Sequence, residues 1–268
     1  MQKMEIVNKD DLFCNKYKAV ILCEYSRELD LLKRLIEIAD EAVEKQEIIN
    51  TWTYEGICHL FAKSIVDYSK MVYDNMLLGH FDAAYMVIRA MIENNVCLDI
   101  ILNDEKEELW KYYLVQSYKN TVIRVDKDTR TKDIVFLEDM YREFDIDEDF
   151  ISRRGDKKPY IDTRYGWTYK INKNFNFAGL CSLVNKREYD DYKMMSGYSH
   201  GTSLYHKISG SLSMDNIMNM ISSLYIGVYR LVTMYCWDSI DSEFDEITDE
   251  IEYIVYEYIN KWENVFDA

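Results

Sequence analysis

Proline and glycine are scarce in this sequence, which has one proline and nine glycines among 268 residues. Proline cannot continue a helix and glycine weakens one, so their scarcity indicates long uninterrupted helices with short connections. Strand patterns, in which apolar and polar residues alternate, are also rare. We therefore predict an all-α protein.

Motifs that would fix a reaction are missing as well. The sequence has no Gly-rich phosphate-binding loop, which argues against a P-loop ATPase or GTPase. Residues 145–156 resemble a calcium-binding loop only in part, because Phe150 stands where glycine is needed and Asp156 where glutamate is needed. The six cysteines show no Cys-x-x-Cys spacing, so neither a zinc site nor a disulfide framework is expected. We expect no metal and no cofactor.

Long apolar runs are absent too. No run approaches the roughly 18 apolar residues of a membrane span, and the N-terminus lacks the apolar core of a signal sequence. Cysteines without a disulfide pattern fit a reducing compartment. These features predict a soluble cytoplasmic protein without membrane contact.

Charge is unevenly distributed along the chain. The formal net charge of −16 disfavours nonspecific binding of nucleic acid or membrane by the whole surface. Residues 151–210 nevertheless carry eleven Lys or Arg against five Asp or Glu, a net charge of +6, whereas residues 238–268 carry eleven acids and one lysine. The two segments are either solvated faces of opposite sign or surfaces that pair between copies of the chain.

Apolar residues at three- and four-residue spacing predict an antiparallel bundle of about eight helices. Thr51 or Thr53, Asp82 and Asp104 are the expected caps of three of these helices. Residues 127–132 are expected to form a charged connector.

The longest connection, residues 151–177, is basic and contains the single proline, Pro159. We call it the basic insertion, and a connection of this length is usually functional or mobile. We predict one domain over residues 1–268, with an N-terminal helical extension (1–50), a core that holds the site (51–210) and C-terminal helices (211–268).

A polar stripe is expected on a helix near residue 200. Tyr192, Ser196 and His200 are spaced by four residues, which places them on one helical face, and Gly201 follows. Either neighbouring groups satisfy this stripe inside a helical core, or His200 acts on a ligand. Ser196 with His200 suggests acyl transfer only weakly, because no nucleophile-elbow glycines surround the serine.

Arg89 and Glu93 lie at i,i+4 on a helix that is apolar on most sides. Charged groups on a buried helix must pair or face a cleft. If this helix packs against the striped one, Arg89, Glu93, Tyr192, Ser196 and His200 surround one cleft. RNA cleavage there would use His200 as base or acid and Arg89 to stabilise the phosphorane, with Tyr192 or His206 as the second acid.

Three sequence features occur in a fixed order: Arg89-Ala-Met-Ile-Glu93, Trp167, and Tyr192-Lys-Met-Met-Ser-Gly-Tyr-Ser-His-Gly201. They resemble the bacterial helical family catalogued as domain of unknown function 5677 (DUF5677), whose pattern is Arg-x-x-x-Glu, Trp, and Tyr-x-x-x-Ser-x-x-x-His-Gly. The likeness covers roughly residues 64–208. It implies a helical fold and a candidate site, and it implies no activity.

More distantly, a helical bundle with a polar Arg and His site is similar to the higher-eukaryote-and-prokaryote nucleotide-binding (HEPN) superfamily. That resemblance implies defence or toxin ribonucleases that work as dimers. Ribonucleases of that superfamily carry Arg-x(4–6)-His on one helix. In this chain no arginine lies at that distance before any of its four histidines, His59, His80, His200 and His206.

Two hypotheses follow. In the first, the chain is a defence or toxin effector, oligomeric or bound to a partner protein, that acts on RNA or a nucleotide. Basic residues of the insertion would recruit the anion: Arg153, Arg154, Lys157 and Lys158. In the second, it is a non-catalytic helical binding or oligomerisation module, and Arg89, Glu93, Ser196 and His200 form a buried structural network. Whether the chain is an enzyme stays open between them.

Overall fold

The computed structural model describes residues 22–46, 48, 50–122, 127–152, 155, 157–184, 189–190, 192–193 and 214–266. These residues form α-helices joined by turns and short 3-10 helices, and none of them forms a β-strand. The helices are α1 Ser26–Glu44, α2 Tyr54–Leu77, α3 Phe81–Leu102, α4 Leu109–Val122, α5 Lys127–Glu143, α6 Glu148–Ile151, α7 Phe177–Val184, α8 Met214–Leu231 and α9 Ser242–Phe266. The predicted all-α class is confirmed.

The chain divides into two compact units. As far as they are described, Met1–Glu47, Phe61–Asn95 and Asp191–Ala268 form the first unit, and Ile48–Leu60 with Val96–Asp190 form the second. The single domain over 1–268, with its parts 1–50, 51–210 and 211–268, stays a prediction.

Helix α1 forms because its apolar residues repeat at three- and four-residue spacing. Leu29, Leu32, Ile36, Ala39 and Val43 are all buried and therefore form one continuous apolar face. This helix packs against α8 and α9 in the first unit. Burial of such a face supplies most of the stability of a helix in a protein.

A bidentate ion pair joins α1 to α9 at the edge of this packing. Arg34 donates from Nε and Nη2 to the two carboxylate oxygens of Glu243, at 2.7 Å each. The hydrogen bond from Arg34 holds the pKa of the Glu243 carboxyl below its usual value. Both side chains are substantially exposed, so the pair fixes the register of the two helices more than it stabilises them.

The turn between α2 and α3 follows the glycine rule for helix ends. Gly79 has φ 71°, its N–H donates to the Met76 carbonyl, and the N–H of His80 donates to the Asn75 carbonyl. This pattern is a Schellman cap, which glycine favours because it has no Cβ. Helix α2 therefore ends at a signal that is local in the sequence.

Two of the predicted helix-start signals hold, and one does not. Thr53 Oγ1 accepts the Gly56 N–H, and Asp104 Oδ2 accepts the N–H groups of Glu108 and Leu109. Asp82, however, lies inside the first turn of α3, which begins at Phe81. The connector expected at 127–132 was wrong, because α5 begins at Lys127; charged residues such as Lys and Arg have good helix propensity.

A buried glutamine of α4 anchors the basic insertion in the second unit. Gln116, 4% exposed, donates from Nε2 to the carbonyls of Ile161 and Thr163 and accepts the Trp167 N–H on Oε1. Trp167 also contacts Tyr113 edge to face, with ring centroids 5.5 Å apart. The part of the insertion that the structure describes is therefore anchored through its backbone.

We expect Gln116→Ala to destabilise the protein by roughly 2–4 kcal/mol, because it leaves up to three backbone groups without their partner. Urea-induced unfolding followed by circular dichroism measures this loss. Asn120→Ala, an exposed position on the same helix, is the control and should change the unfolding free energy by less than about 0.5 kcal/mol. Equal effects of the two substitutions would contradict the anchoring role of Gln116.

Burial of thiols and phenols predicts an alkaline limit to stability. Burial raises the pKa of Cys58 and Cys236 from 9.0 to about 12, and that of Tyr54 and Tyr141 from 10.0 to about 12. Below about pH 9 these groups are neutral in both states, so their contribution is constant. Above it the unfolded chain ionises first, and stability falls as the pH rises towards about 12.

Urea midpoints measured across this pH range test the expectation. The midpoint should fall steadily above about pH 9, and tyrosinate absorbance of the native protein should rise later than that of the chain in denaturant. A native protein that titrates all its tyrosines together with the denatured chain would contradict the burial argument.

One helical stretch, Ile217–Ser239, is long and apolar enough for a membrane span by length and composition. Within the described residues, 56% of its apolar window is buried against the rest of the protein. Buried residues of this stretch include Met220, Leu224 and Val228, as expected of a core helix that packs on its neighbours. The packing accounts for its apolar character, and the cytoplasmic location stays a prediction.

Candidate functional site

Helix α3 carries Arg89 and Glu93 in its middle, next to buried apolar side chains. Tyr85, Ile88, Met91 and Ile92 are buried around them, while Arg89 and Glu93 are half-buried. A buried polar contact fixes the helix against α8, because Asn95 Nδ2 donates to the Gly227 carbonyl at 3.3 Å. The position of Arg89 is therefore set by a well-packed helix rather than by a loop.

Tyr192 is the partner that the structure gives to Arg89. The Arg89 Nη2 donates a hydrogen bond to the Tyr192 hydroxyl oxygen, and the guanidinium carbon lies 4.6 Å from the centroid of the Tyr192 ring. Tyr192 is 6% exposed. A cation over an aromatic face is attracted by the ring quadrupole, typically by about 0.5–2 kcal/mol. Both interactions hold the guanidinium in one orientation.

Arg89 and Tyr192 lie 103 residues apart in the sequence, so this contact depends on folding. Glu93 follows Arg89 by one helical turn and is half-buried. Ser196 and His200, as well as His206, lie outside the described residues. The structure therefore joins two of the five predicted cleft residues, Arg89 and Tyr192, and places Glu93 on the same helix as Arg89.

The predicted anion-binding residues belong to the second unit, whereas Arg89 and Tyr192 belong to the first. Lys157 and Lys158 are exposed, as a surface that meets a polyanion requires. Arg153 and Arg154 lie outside the described residues. The recruitment of an anion by these four residues stays a prediction.

A second polar cluster, which the sequence did not indicate, lies in the second unit. Lys170 Nζ is 3.2 Å from Glu108 and 3.1 Å from Asp147, and it sits 4.7 Å from the centroid of the Tyr112 ring. Tyr169 donates its hydroxyl hydrogen to Asp147. That hydrogen bond holds the pKa of the Asp147 carboxyl below its usual value. Burial and the same bond raise the pKa of Tyr169.

This cluster borders a cavity of about 500 Å³. The cavity is lined by acidic and apolar side chains together with Asn103 and two lysines, Lys106 and Lys170. Its acidic and apolar residues include Asp99, Glu105, Glu108, Ile171 and Leu183. In this cluster the phenol stays neutral and the lysine stays charged between two carboxylates. Such an arrangement suits a role in holding the fold together. The residues of this cluster are spread over positions 108–170, and only folding brings them together. The sequence shows the sign of each charge but not that these residues meet.

The described part of the chain contains no preformed metal site. No group of three or more His, Cys, Asp or Glu side chains there could hold a metal ion. In the partial calcium loop, Asp147 contacts Tyr169 and Lys170.

Comparison with known proteins identifies a family for most of the chain. A family model described as "Family of unknown function (DUF5677)" matches residues 54–217, more than half of the sequence. The match contains all the predicted cleft residues and the whole basic insertion. No curated protein and no solved structure matches the chain.

Proposed function

Because this chain belongs to DUF5677, a family of unknown function, we propose its role from its own side chains: it binds RNA or a nucleotide at Arg89 and cleaves a phosphodiester bond there. In a cell this activity would make it a defence or toxin effector. The HEPN-like character inferred from the sequence is part of the same proposal.

The contact between Arg89 and Tyr192 carries the proposal. A guanidinium is a planar fork that matches the geometry of phosphate oxygens, and it remains charged at any physiological pH. Arg89 lies on α3, and its guanidinium contacts the ring face and the phenol oxygen of Tyr192. A cation fixed before the substrate arrives loses little freedom on binding, which favours stabilisation of a developing negative charge.

The roles of the other residues follow from the chemistry of RNA cleavage. His200 would take the proton of a 2′-hydroxyl, whose oxygen then attacks the adjacent phosphorus. The bond to the 5′-oxygen breaks, and that oxygen takes a proton from Tyr192. The products are a 2′,3′-cyclic phosphate and a 5′-hydroxyl, and no metal or water is consumed.

Two residues support these groups. Glu93, one turn beyond Arg89 on α3, is proposed as a positioning residue, because a carboxylate near a guanidinium limits its freedom. Ser196, four residues before His200 in the sequence, would hydrogen-bond the ligand. The exposed Lys157 and Lys158, with Arg153 and Arg154, would attract the polyanion before it reaches the site.

A structural role is the second candidate, and one observation favours it. Tyr192 is almost fully buried, and its hydroxyl accepts a hydrogen bond from the half-buried Arg89, as expected of a contact that orders helices. In that case the site is a non-catalytic network that orders the helices of a binding or oligomerisation module. The two candidates differ in what happens when the phenol oxygen is removed.

Tyr192→Phe is the direct test, because it keeps the ring and removes the hydroxyl. Purified protein is incubated with single-stranded RNA, and the cleavage products are examined for 2′,3′-cyclic phosphate ends. A parallel incubation with nucleotides measures whether these are altered at all, because a mononucleotide has no phosphodiester bond that could give a cyclic end. We expect the wild type to form these ends and Tyr192→Phe to be about 100-fold slower, the usual effect of losing a general acid. Tyr68→Phe, a half-buried tyrosine of α2, is the matched control.

The outcomes separate the two candidates. If concentrated wild-type protein leaves RNA and nucleotides unaltered, the enzymatic proposal fails. If Tyr192→Phe also lowers the melting temperature well below that of Tyr68→Phe, the structural network is supported instead.

A further inference from the structure

Helix α9 presents one buried face and one face in solvent. Phe244, Ile247, Thr248 and Ile251 are buried, and α9 packs there against α1 and α8. The opposite positions follow the same helical spacing and are exposed. This surface, here called the acidic face of α9, consists of Asp245, Glu246, Asp249, Tyr253, Tyr256 and Glu257.

The aromatic residues of this face are unusually exposed. Tyr253 and Tyr256 have 61% and 63% of their surface in solvent, the two highest values among the exposed large hydrophobic residues in the described part of the chain. A tyrosine ring has a large apolar body that is better placed against another surface than in water. Two such rings a few residues apart on one helical face indicate a surface that binds a partner.

Within the described residues, the carboxylates of the face have no cationic partner, unlike neighbouring acids of the same helix. On the same helix, Glu243 pairs with Arg34, Glu250 pairs with Arg27, and Glu252 accepts from Tyr225. By contrast, the described residues place no cation within ion-pair distance of Asp245, Glu246, Asp249 or Glu257. Residues 241–257 contain eight acids and no Lys or Arg. The face is therefore a concentrated negative charge with two aromatic rings in it.

The basic insertion has the complementary character. Residues 151–177 contain seven Lys or Arg and two Asp. Lys157, Lys158, Arg164 and Lys173 are exposed, and the backbone that carries them is anchored to α4 by Gln116. Exposed lysines and arginines bind carboxylates and also stack on tyrosine rings. The exposed cations of the insertion can therefore pair with the carboxylates of the acidic face of α9 and stack on its two tyrosine rings.

We propose that the acidic face of α9 docks on the basic insertion of a second copy of this chain. The occupant is a second copy because every copy carries both surfaces, of opposite charge, and each is exposed in the single chain. Charge complementarity of this kind steers association and fixes which surfaces meet. The proposal is independent of any activity at Arg89.

Charge reversal with rescue tests the proposal. One variant combines Asp245→Lys with Asp249→Lys, and the other combines Lys157→Glu with Lys158→Glu. Sedimentation velocity of each, alone and mixed, measures association at low and high salt. A variant with Glu105→Lys and Glu143→Lys, both exposed, matches the charge change of the first, and melting temperatures verify that each variant is folded.

We expect the wild type to associate at low salt and to dissociate as salt screens the charges. Each reversed variant alone should associate at least about tenfold more weakly, because like charges then meet across the contact. An equimolar mixture of the two reversed variants should associate as the wild type does, since both contacts in a mixed pair are again between opposite charges. The Glu105 and Glu143 control should behave as the wild type.

Several results would overturn the proposal. The proposal fails if the wild type is monomeric at low salt, or if association survives charge reversal or high salt. It also fails if the two reversed variants are folded but do not associate when mixed. Association that is lost equally in the Glu105 and Glu143 control would point to net charge rather than to the acidic face of α9.

Discussion

Gly166→Ala should destabilise the protein by roughly 3–5 kcal/mol, at the upper end of the range for overpacked sites. A Cβ at Gly166 would overlap the Tyr160 carbonyl oxygen and would lie 2.6 Å from Thr163 Oγ1. The first of these atoms belongs to backbone, which cannot rotate away as the end of a side chain can. The turn Tyr160–Asp162 and the turn Gly166–Thr168 would have to separate.

The separation is costly because Gln116 holds both turns. Its amide bonds the Ile161 and Thr163 carbonyls in one turn and the Trp167 N–H in the other. At about 2–4 °C per kcal/mol for a protein of this size, the melting temperature should fall by about 10 °C. Differential scanning fluorimetry or calorimetry measures the shift.

Gly155→Ala is the control for the glycine itself. Gly155 has φ +60°, and a Cβ there would meet no atom within 4 Å. Alanine at this position should therefore lower the unfolding free energy only through its unfavourable backbone conformation, by about 1–2 kcal/mol. A Gly166→Ala protein that melts no lower than Gly155→Ala would show that the two turns can separate freely, and the anchoring argument for the insertion would fail.

Arg89→Ala should reduce RNA or nucleotide cleavage by about 100- to 1,000-fold, the usual effect of losing a charge-stabilising group. The same substitution should lower the unfolding free energy by only about 1–2 kcal/mol, since a half-buried cation leaves a site that water can enter. Cleavage rates, urea unfolding and the growth of host cells that express each variant measure both effects. Arg142→Ala, which removes an exposed arginine paired with Asp139, is the control.

His200→Ala belongs in the same series, because the proposed site needs both residues. Loss of the cellular phenotype with an intact melting temperature in both variants would support a ligand site. Loss of folding in both would favour the structural network. Arg89→Lys keeps the charge without the planar fork, so it should retain stability while losing most of the cleavage if phosphate recognition is the role.

A double-mutant cycle over Arg89→Ala and Tyr192→Phe separates the two roles further. A coupling of about 0.5–3 kcal/mol in unfolding free energy is typical of residues in contact. If the coupling appears in stability alone, the pair is a structural contact. If it appears in cleavage as well, the two side chains act as a unit on the substrate.

The sequence by itself determined the helical class and several helix ends. Spacing of Leu29, Leu32 and Ile36 specifies a buried face because a helix repeats about every 3.6 residues, and these residues are buried. Gly79 and Thr53 mark helix ends because their caps involve only residues within a few positions. The ordered Arg-Glu, Trp and Tyr-Ser-His features also indicated the family over roughly residues 64–208, and the family model matches residues 54–217.

Only the tertiary structure decided what those residues contact. Trp167, one of the family features, is held by Gln116 at a separation of 51 residues, and no local pattern marks that glutamine. Tyr192 meets Arg89 from 103 residues away. Sequence spacing specifies which face of a helix a side chain occupies, but the partner on that face depends on how distant helices pack, and packing is set by the whole core rather than by neighbours in the chain.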